Sequence, residues 1–358
     1  MILEKLHRED SLWEKLKKEK RPIVLYGTGN GADKILDTCE KFGIKVSGVF
    51  ASGGFVRDRS FRGMKVKSLE DCEKDFSEMT VLLSFGTTLT EVMGNIRKVG
   101  EKHTLYIPEV PLYGDELFDF DYYEKNFCEI EKAEKLFCDE ESVKVFRDMI
   151  AFRLTGEPQY LSSTEEPEAS YRTLLGTQKI NICIDCGAYR GDSANAIINA
   201  VGPEKIYAAE PDPGTFKRLI TYAEGEGRCH VVPVNCAVGE KSGEITVMAT
   251  SGRGSGASGI TKGAKAKSVK LSTVDEITGC ENIDFIKYDV EGDEESALNG
   301  SLETIMRCQP SLAVSVYHRT GDLFRIPLKI REICPEHKLY LRRAPCIPAW
   351  DIVLFAIR

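Results

Sequence analysis

The chain is 358 residues long, 42% hydrophobic and 29% charged, with a net charge of −8. That length predicts two or three globular domains, and the acidic balance argues against nucleic acid or an anionic membrane surface as a partner. The twelve cysteines are scattered and several, such as Cys183, Cys186 and Cys236, fall inside apolar runs.

Met1 to Lys20 is densely charged, and no apolar run approaches membrane-spanning length. The single C-x-x-C, Cys183-Ile-Asp-Cys186, lies inside an apolar run with no second cysteine or histidine pair clustered beside it in the sequence, so neither a zinc site nor any other metal is expected. Reduced thiols in a cytoplasmic protein are the expectation.

In chain order, Leu3, Leu6, Leu12, Trp13 and Leu16 have the spacing of a short amphipathic helix, ended by Pro22. Ile23 to Tyr26 reads as a strand, and Gly27-Thr-Gly29-Asn30-Gly31-Ala32 fits the G-x-G-x-x-A form of a dinucleotide turn. A helix from Asp33 to Phe42 and a strand from Lys45 to Phe50 complete a βαβ unit. Thr80 to Phe85 and Thr104 to Ile107 are further strands, with a helix over Thr90 to Val99 between them. A nucleotide, a nucleotide sugar or NAD would sit against Gly27, Gly29, Asn30 and Gly31.

The confirming acid, about 20 residues after such a turn, is missing. The second strand ends Val49-Phe50-Ala51-Ser52, and the next acid is Asp58. Residues 1–111, including Phe61-Arg-Gly63-Met-Lys-Val66, resemble the N-terminal Rossmann-like domain of sugar-nucleotide acetyltransferases. A ligand site and a scaffold or homodimerisation module both stay open.

Residues 112–178 form a helical connector. Phe127, Ile130, Ala133 and Phe137, then Val143, Phe146, Met149 and Ile150, recur at helical spacing. Two helices are predicted around Cys138 to Ser142, capped by Asp139 or Ser142. The connector is a packed linker or, as a second reading, a lid carrying Arg153, Tyr160 and Tyr171.

Residues 179–358 begin with an apolar strand, Ile180 to Cys186, a glycine-punctuated turn and a helix over Ser193 to Ala200. Glycines let backbone approach a ligand closely, and a helix start offers unpaired N–H groups. The next strand, Lys205 to Ala209, runs into Glu210-Pro211-Asp212, and Glu210 follows Asp185 by 25 residues. That separation sets two strand ends side by side, where an acid accepts from both hydroxyls of a ribose. His230 to Val234 is a third strand leading to Asn235-Cys-Ala237-Val-Gly239, small enough for an adenine ring to lie against.

Glu244 to Ala249 and Val269 to Leu271 read as strands around a glycine-rich loop, Ser251 to Gly263. The basic run Lys262 to Lys270 reads as a solvated loop. Ile283 to Tyr288 is another strand, and Lys287, Asp289 and Glu291, spaced by two, are expected on one face. Three such charges need a polar cleft, which makes them candidate catalytic groups. His318 ends the strand Leu312 to Tyr317 on the same rim.

Four of these features in order resemble the FkbM family of S-adenosylmethionine (SAM) methyltransferases. They are Asp185-x-Gly187-Ala188-Tyr189-x-Gly191, Glu210-Pro211-Asp212, Asn235-x-Ala237-Val and Lys287-x-Asp289-Val-Glu291-Gly292. His318, Asp322-Leu-Phe-x-Ile-Pro327 and the final strands Leu339 to Arg342 and Asp351 to Ala356 fit as well. The family often has an aromatic or histidine pair after the penultimate strand, where this chain has Arg342-Arg343-Ala-Pro-Cys.

The resemblance implies an α/β fold: a Rossmann-like SAM methyltransferase sheet with helices on both faces and a C-terminal antiparallel hairpin, preceded by the smaller Rossmann-like domain and the connector. It implies SAM as cofactor, held by Asp185, Gly187, Ala188, Tyr189, Gly191, Glu210, Pro211, Asp212, Asn235, Ala237 and Asp289. It also implies methylation of a hydroxyl on a sugar, glycan precursor or related metabolite, with Asp289 or His318 as base and Glu291 and Lys287 ordering the pocket. The competing reading is a non-catalytic nucleotide-sugar or SAM binding module in a glycan-assembly complex.

Overall fold

The computed structural model describes residues 6–53, 56, 59–114, 116–248 and 266–358. The first part comprises α1 (Leu12–Lys18), β1 (Ile23–Tyr26), α2 (Asn30–Lys41), β2 (Val46–Phe50), β3 (Ser60–Phe61), β4 (Met64–Lys67), α3 (Leu69–Asp75), β5 (Thr80–Leu83), α4 (Thr90–Lys102) and β6 (Thr104–Tyr106). They form one sheet of order β3-β4-β2-β1-β5-β6, parallel apart from the β3–β4 pair. All four residues of β1 are buried, as a central parallel strand must be when helices cover both faces.

The Gly27 turn leads into α2, which starts at Asn30 behind Gly29, three residues earlier than predicted. Gly27 has φ +116°, and a Cβ there would stand 2.7 Å from Ser84 Oγ. A Cβ on Gly31 would strike the Ser84 carbonyl oxygen. These glycines are needed for the turn to pack against the end of β5. Asp58 lies outside the described residues.

The connector supplies α5 (Phe120–Glu134), α6 (Glu140–Thr155) and α7 (Pro167–Leu175). Asp139 is the cap of α6, its Oδ1 accepting from the Ser142 amide at 2.8 Å. Gly156, at φ +64°, ends the helix, a left-handed position that suits glycine.

The second sheet is built from β7 (Ile182–Cys186), α8 (Asp192–Val201), β8 (Lys205–Ala209), α9 (Pro213–Gly225), β9 (His230–Val234) and, after an excursion, β13 and its successors. The excursion is β10 (Ala237–Val238), β11 (Gly243–Met248) and β12 (Ala266–Ser272), a separate three-stranded sheet, followed by α10 (Val274–Thr278). Then come β13 (Phe285–Tyr288), α11 (Glu294–Asn299), α12 (Leu302–Cys308), β14 (Ser311–Ser315), α13 (Asp322–Ile333), β15 (Lys338–Arg343) and β16 (Ile352–Ile357). The order is β15-β16-β14-β13-β7-β8-β9, and β16 runs antiparallel to both neighbours.

Two expectations are corrected here. The second half of the basic run Lys262 to Lys270 belongs to β12, which pairs with all of β11. Val269 is buried between exposed Ser268 and Lys270, a period-two pattern hidden by the charges. The predicted loop Ser251 to Gly263 lies outside the described residues.

The second correction concerns the lid. Arg153 is buried, paired with Glu109 at 2.9 Å and donating to the Thr320 carbonyl at 2.9 Å. Tyr171 packs edge-on against Phe285 and Phe355, and Tyr160 packs against the main core. The connector is therefore built into the sheet domain: Phe146, Met149 and Ile150 share a core with Leu339 and Leu341.

Arg342 and Arg343, at the departure from the family pattern, are buried and structural. Arg342 bonds Asp139 at 2.7 Å and the Ser142 hydroxyl at 3.0 Å, fastening β15 to the start of α6. Arg343 donates to the carbonyls of Cys346 and Leu161, and burial lowers its guanidinium to about 10.

No helix among the described residues is long and apolar enough to cross a membrane. All twelve cysteines are free. Burial pushes thiols such as Cys236 up to about 11, which suits a packing role and not nucleophilic chemistry.

Candidate active site

From β7 the chain moves outward to β8 and β9, then returns to place β13 on the other side of β7. Crevices form at such a reversal, beyond the carboxyl ends of the strands. In register, Lys287 of β13 lies beside Asp185 of β7, so the two side chains share a face. Lys287 Nζ reaches Asp185 Oδ1 at 3.0 Å and Asp289 Oδ2 at 3.5 Å. Ser193 Oγ bonds the other Asp185 oxygen at 2.5 Å.

Burial by itself would lower the Lys287 ammonium, but Asp185 and Asp289 outweigh it and hold the group well above its usual value. Asp185 has no exposed surface. It and Lys287 are the floor of the site and do not line it.

The turn above this floor depends on glycine. Gly187 has φ +88°, and a Cβ on it would collide with the Asp289 carbonyl oxygen. Gly191 has φ +96°, and a Cβ there would enter the Tyr222 ring. Gly187→Ala is expected to destabilise the protein by about 1–3 kcal/mol or more, because the strained backbone and the collision add. Thermal unfolding checks this.

Above the turn is a cavity of about 180 Å³, lined on one side by Gly187, Tyr189, Glu210, Pro211 and Ala237. Ser193 and Ile245 of β11 also face it. Glu210, at the end of β8, accepts the Asp212 amide at 2.8 Å. Burial pushes its carboxyl up to about 7, and the backbone bonds from Asp212 and Tyr189 only partly oppose this.

Several residues expected at the cofactor are placed elsewhere. Ala188 is fully buried, and Gly191 heads α8. Asp212 caps α9 through the Gly214 and Thr215 amides. Asn235 ties its amide to the carbonyls of Glu210 and Pro211, shaping the rim from behind.

The other wall is acidic. Asp289, at the end of β13, accepts from Ser315 at 2.9 Å and from Tyr317 at 3.4 Å. Burial would raise its carboxyl, but Lys287 and His318 outweigh this and hold it below the usual range. Glu291 is off the strand, because β13 ends at Tyr288. It reaches the rim through a left-handed turn, with φ +58° at Glu291 and +97° at Gly292. The strand ends three residues before Glu291, so the period-two argument that grouped it with Lys287 and Asp289 does not reach it. Burial raises the Glu291 carboxyl, with His318 opposing.

His318 is buried. Its Nδ1 is 2.7 Å from Glu294 Oε1, and its Nε2 faces Asp289 Oδ1 at 3.7 Å and Glu291 Oε2 at 3.5 Å. Burial would lower the imidazole, but Glu294 and its neighbours raise it to about 10. A ring held as a cation does not accept a proton at neutral pH, so the expectation of His318 as base is not supported. His318 lies on an adjoining cleft with Phe118, Arg319 and Trp350, and the two cavities share Tyr317.

Two site residues escaped sequence reasoning. Tyr113, from the connector, donates to Glu291 at 2.9 Å, and nothing in its local pattern signals this. Glu294 looks like an ordinary first-turn helix acid, yet it is buried and holds His318. The cavity lining presents six carboxylates: Asp192, Glu210, Asp289, Glu291, Asp293 and Asp351. Among the described residues it presents no Lys, Arg or His.

A seven-stranded sheet with one antiparallel strand and a cavity over its reversal point is a Rossmann-like fold of the kind seen in a methyltransferase of known structure. Residues 185–342 match the family described as "Methyltransferase FkbM domain". The crystal structure of methyltransferase FkbM from Methylobacillus flagellatus KT aligns over 96% of this chain and 92% of its own, with 20% identity and a TM-score of 0.69. At that identity the likeness concerns the fold, and it spans the first sheet as well as the second.

Weaker likenesses include an rRNA methylase from Streptococcus thermophilus (11% identity, 54% of this chain and 97% of that one, TM-score 0.36). Another is Aeropyrum pernix fibrillarin with natively bound SAM (12%, 53% and 73%, TM-score 0.33). No curated protein matches the chain.

Proposed function

We propose that this protein is a SAM-dependent O-methyltransferase acting on a hydroxyl of a sugar, glycan precursor or related small metabolite. The observation that carries the reading is the charge of the cavity lining. Six acidic residues line it and, among the described residues, no Lys, Arg or His does, which favours a ligand bearing a sulfonium and an ammonium. The same wall repels the pyrophosphate of a dinucleotide, which disfavours NAD at this site.

SAM supplies a methyl group already activated on sulfur. Glu210 sits where an acid at the second strand end holds ribose hydroxyls, and its two bonds contribute roughly 1.5–3 kcal/mol each. Ala237 and Ile245 offer an apolar surface for a base. Asp289 and Glu291 face the far end, where the acceptor oxygen must lie.

Glu291 is the proton acceptor. Its carboxyl is raised while that of Asp289 is depressed, so Glu291 is the stronger base. Tyr113 orients it. The adjoining cleft, with Phe118, Tyr317 and Trp350, gives aromatic faces for the C–H side of a sugar ring. The first sheet serves as a scaffold, since Ser84 and Phe85 take the space under its glycine turn.

Calorimetry with SAM, followed by a mass-spectrometric screen of hydroxylated acceptors, tests the reading. Absence of SAM binding would sink it. A pH series adds a sharper check. Binding to the ribose requires the Glu210 carboxylate, which is protonated below about 7 in the free protein. SAM affinity should therefore rise from pH 6 to pH 8, by about tenfold. Glu210→Gln should weaken binding at least about tenfold and flatten that profile. In the free protein the sign is opposite: the raised carboxyl favours folding below the unfolded value and this is lost as pH climbs through about 7.

A further inference from the structure

Acidic groups outnumber their partners on the floor and far wall of the site. Asp185, Asp289, Glu291 and Glu294 stand against Lys287 and His318. When all are ionised, two negative charges are left over in a buried setting, where uncompensated charge is costly.

The contacts made by His318 are also incomplete. Its Nδ1 is taken up by Glu294, but among the described residues Nε2 finds no hydrogen-bond partner, although His318 is only 2% exposed. Nε2 aims at Asp289 Oδ1 and Glu291 Oε2 from 3.7 and 3.5 Å. A charge-assisted hydrogen bond would close to about 2.7–2.9 Å. Glu294, 1% exposed, likewise leaves Oε2 without a hydrogen-bond partner.

The 3.7 Å between His318 Nε2 and Asp289 Oδ1 suits atoms that share a cation. Ligands about 2.0–2.2 Å from a hard divalent ion stand about 3 Å apart at right angles and farther apart at open angles. One ligand atom from each of Asp289, Glu294 and His318 lies within 4.8 Å of the others. We propose that Asp289, Glu294 and His318 form a binding site for a hard divalent cation of the Mg²⁺ or Mn²⁺ class, open toward the methyl-acceptor side of the cavity.

Oxygen donors with a single imidazole select that class over thiophilic metals, and the ion binds in exchange for the proton that the His318 ring carries in the free protein, which is released to solvent. A search for clustered cysteines and histidines would not find such a site. Asp289 also lines the cavity, so an acceptor hydroxyl could complete the coordination. The ion would then lower the pKa of that hydroxyl beside Glu291. This role rests on the methyltransferase reading, whereas the binding itself does not.

The test uses the full chain, stripped with EDTA and desalted. Mn²⁺ is titrated in, and loss of the free-ion electron paramagnetic resonance signal is recorded, with calorimetry in parallel. One Mn²⁺ per chain is expected, displaced by excess Mg²⁺ and weakened about tenfold or more in both Asp289→Asn and His318→Gln. No Mn²⁺ binding by the unaltered chain, or binding that both variants leave unchanged, overturns the proposal.

If the variants do not fold, Mn²⁺ broadening of the His318 ring resonances in the unaltered protein decides, and sharp resonances count against the site. SAM calorimetry in EDTA separates the two readings. SAM binding without Mn²⁺ binding removes the metal and leaves the methyltransferase; the converse removes the methyltransferase reading and leaves the metal.

Discussion

Glu291→Gln is expected to lower kcat for methyl transfer by about 10²–10⁴-fold, the usual contribution of a positioned base. The amide keeps the shape of the side chain and still accepts the Tyr113 hydroxyl, now at 2.9 Å from Glu291 Oε2. What it loses is the capacity to take a proton. Turnover should persist at a low level, because holding acceptor oxygen, methyl carbon and sulfur in line supplies roughly 7–11 kcal/mol on its own. SAM affinity should change little, since Glu210 and the glycine turn lie at the other end of the cavity. The measurement is kcat at saturating acceptor by mass spectrometry, beside calorimetry with SAM. Unchanged kcat would remove Glu291 from the role of base.

The second large effect concerns folding. Lys287→Met should destabilise the protein by about 3–5 kcal/mol, the cost of removing one partner from a buried ion pair. The side chains of Lys287 and Asp185 are 8% and 0% exposed, so water cannot replace the lost ammonium. Asp185 would keep its Ser193 bond but remain a buried, uncompensated carboxylate. At about 2–4 °C per kcal/mol for a domain of this size, the midpoint should fall by roughly 6–20 °C. The double variant Asp185→Leu, Lys287→Met should recover much of the loss, because an apolar pair of similar volume is often neutral or stabilising. A single variant with an unchanged melting temperature would show that the pair does not hold the two strands.

The strands and their ends were legible because local pattern and tertiary role agree there. Ile182 to Cys186 and Phe285 to Tyr288 are apolar runs flanked by turns, and both are central parallel strands. Local pattern misled where a charged residue serves packing. Lys287 looked like a pocket group, yet its partner is the neighbouring strand's Asp185. Arg342 and Arg343 sat where the family pattern changes, and both are buried against the connector and the loop before β16. The Gly27 turn had the better dinucleotide spelling, and there Gly27 and Gly31 make room for Ser84 and Phe85, while a Cβ on Gly29 would meet nothing. A glycine motif reports close backbone approach, whether the approaching group is a ligand or another strand.

The sequence by itself determined the order of strands and helices, the two glycine turns and the acids at the strand ends, because each is written in a stretch of neighbouring residues. The tertiary structure alone decided which of those acids meet. Asp185 pairs with Lys287 across 102 residues, Tyr113 reaches Glu291 across 178, and Glu294 grips His318 across 24. Burial and neighbouring charge set their ionisation: burial raises Glu210 toward neutrality, whereas Lys287 and His318 depress Asp289, although each is simply an acid at the end of a strand in the sequence. Desolvation and charge proximity are properties of the packed interior, where distances of a few ångströms outweigh any separation along the chain.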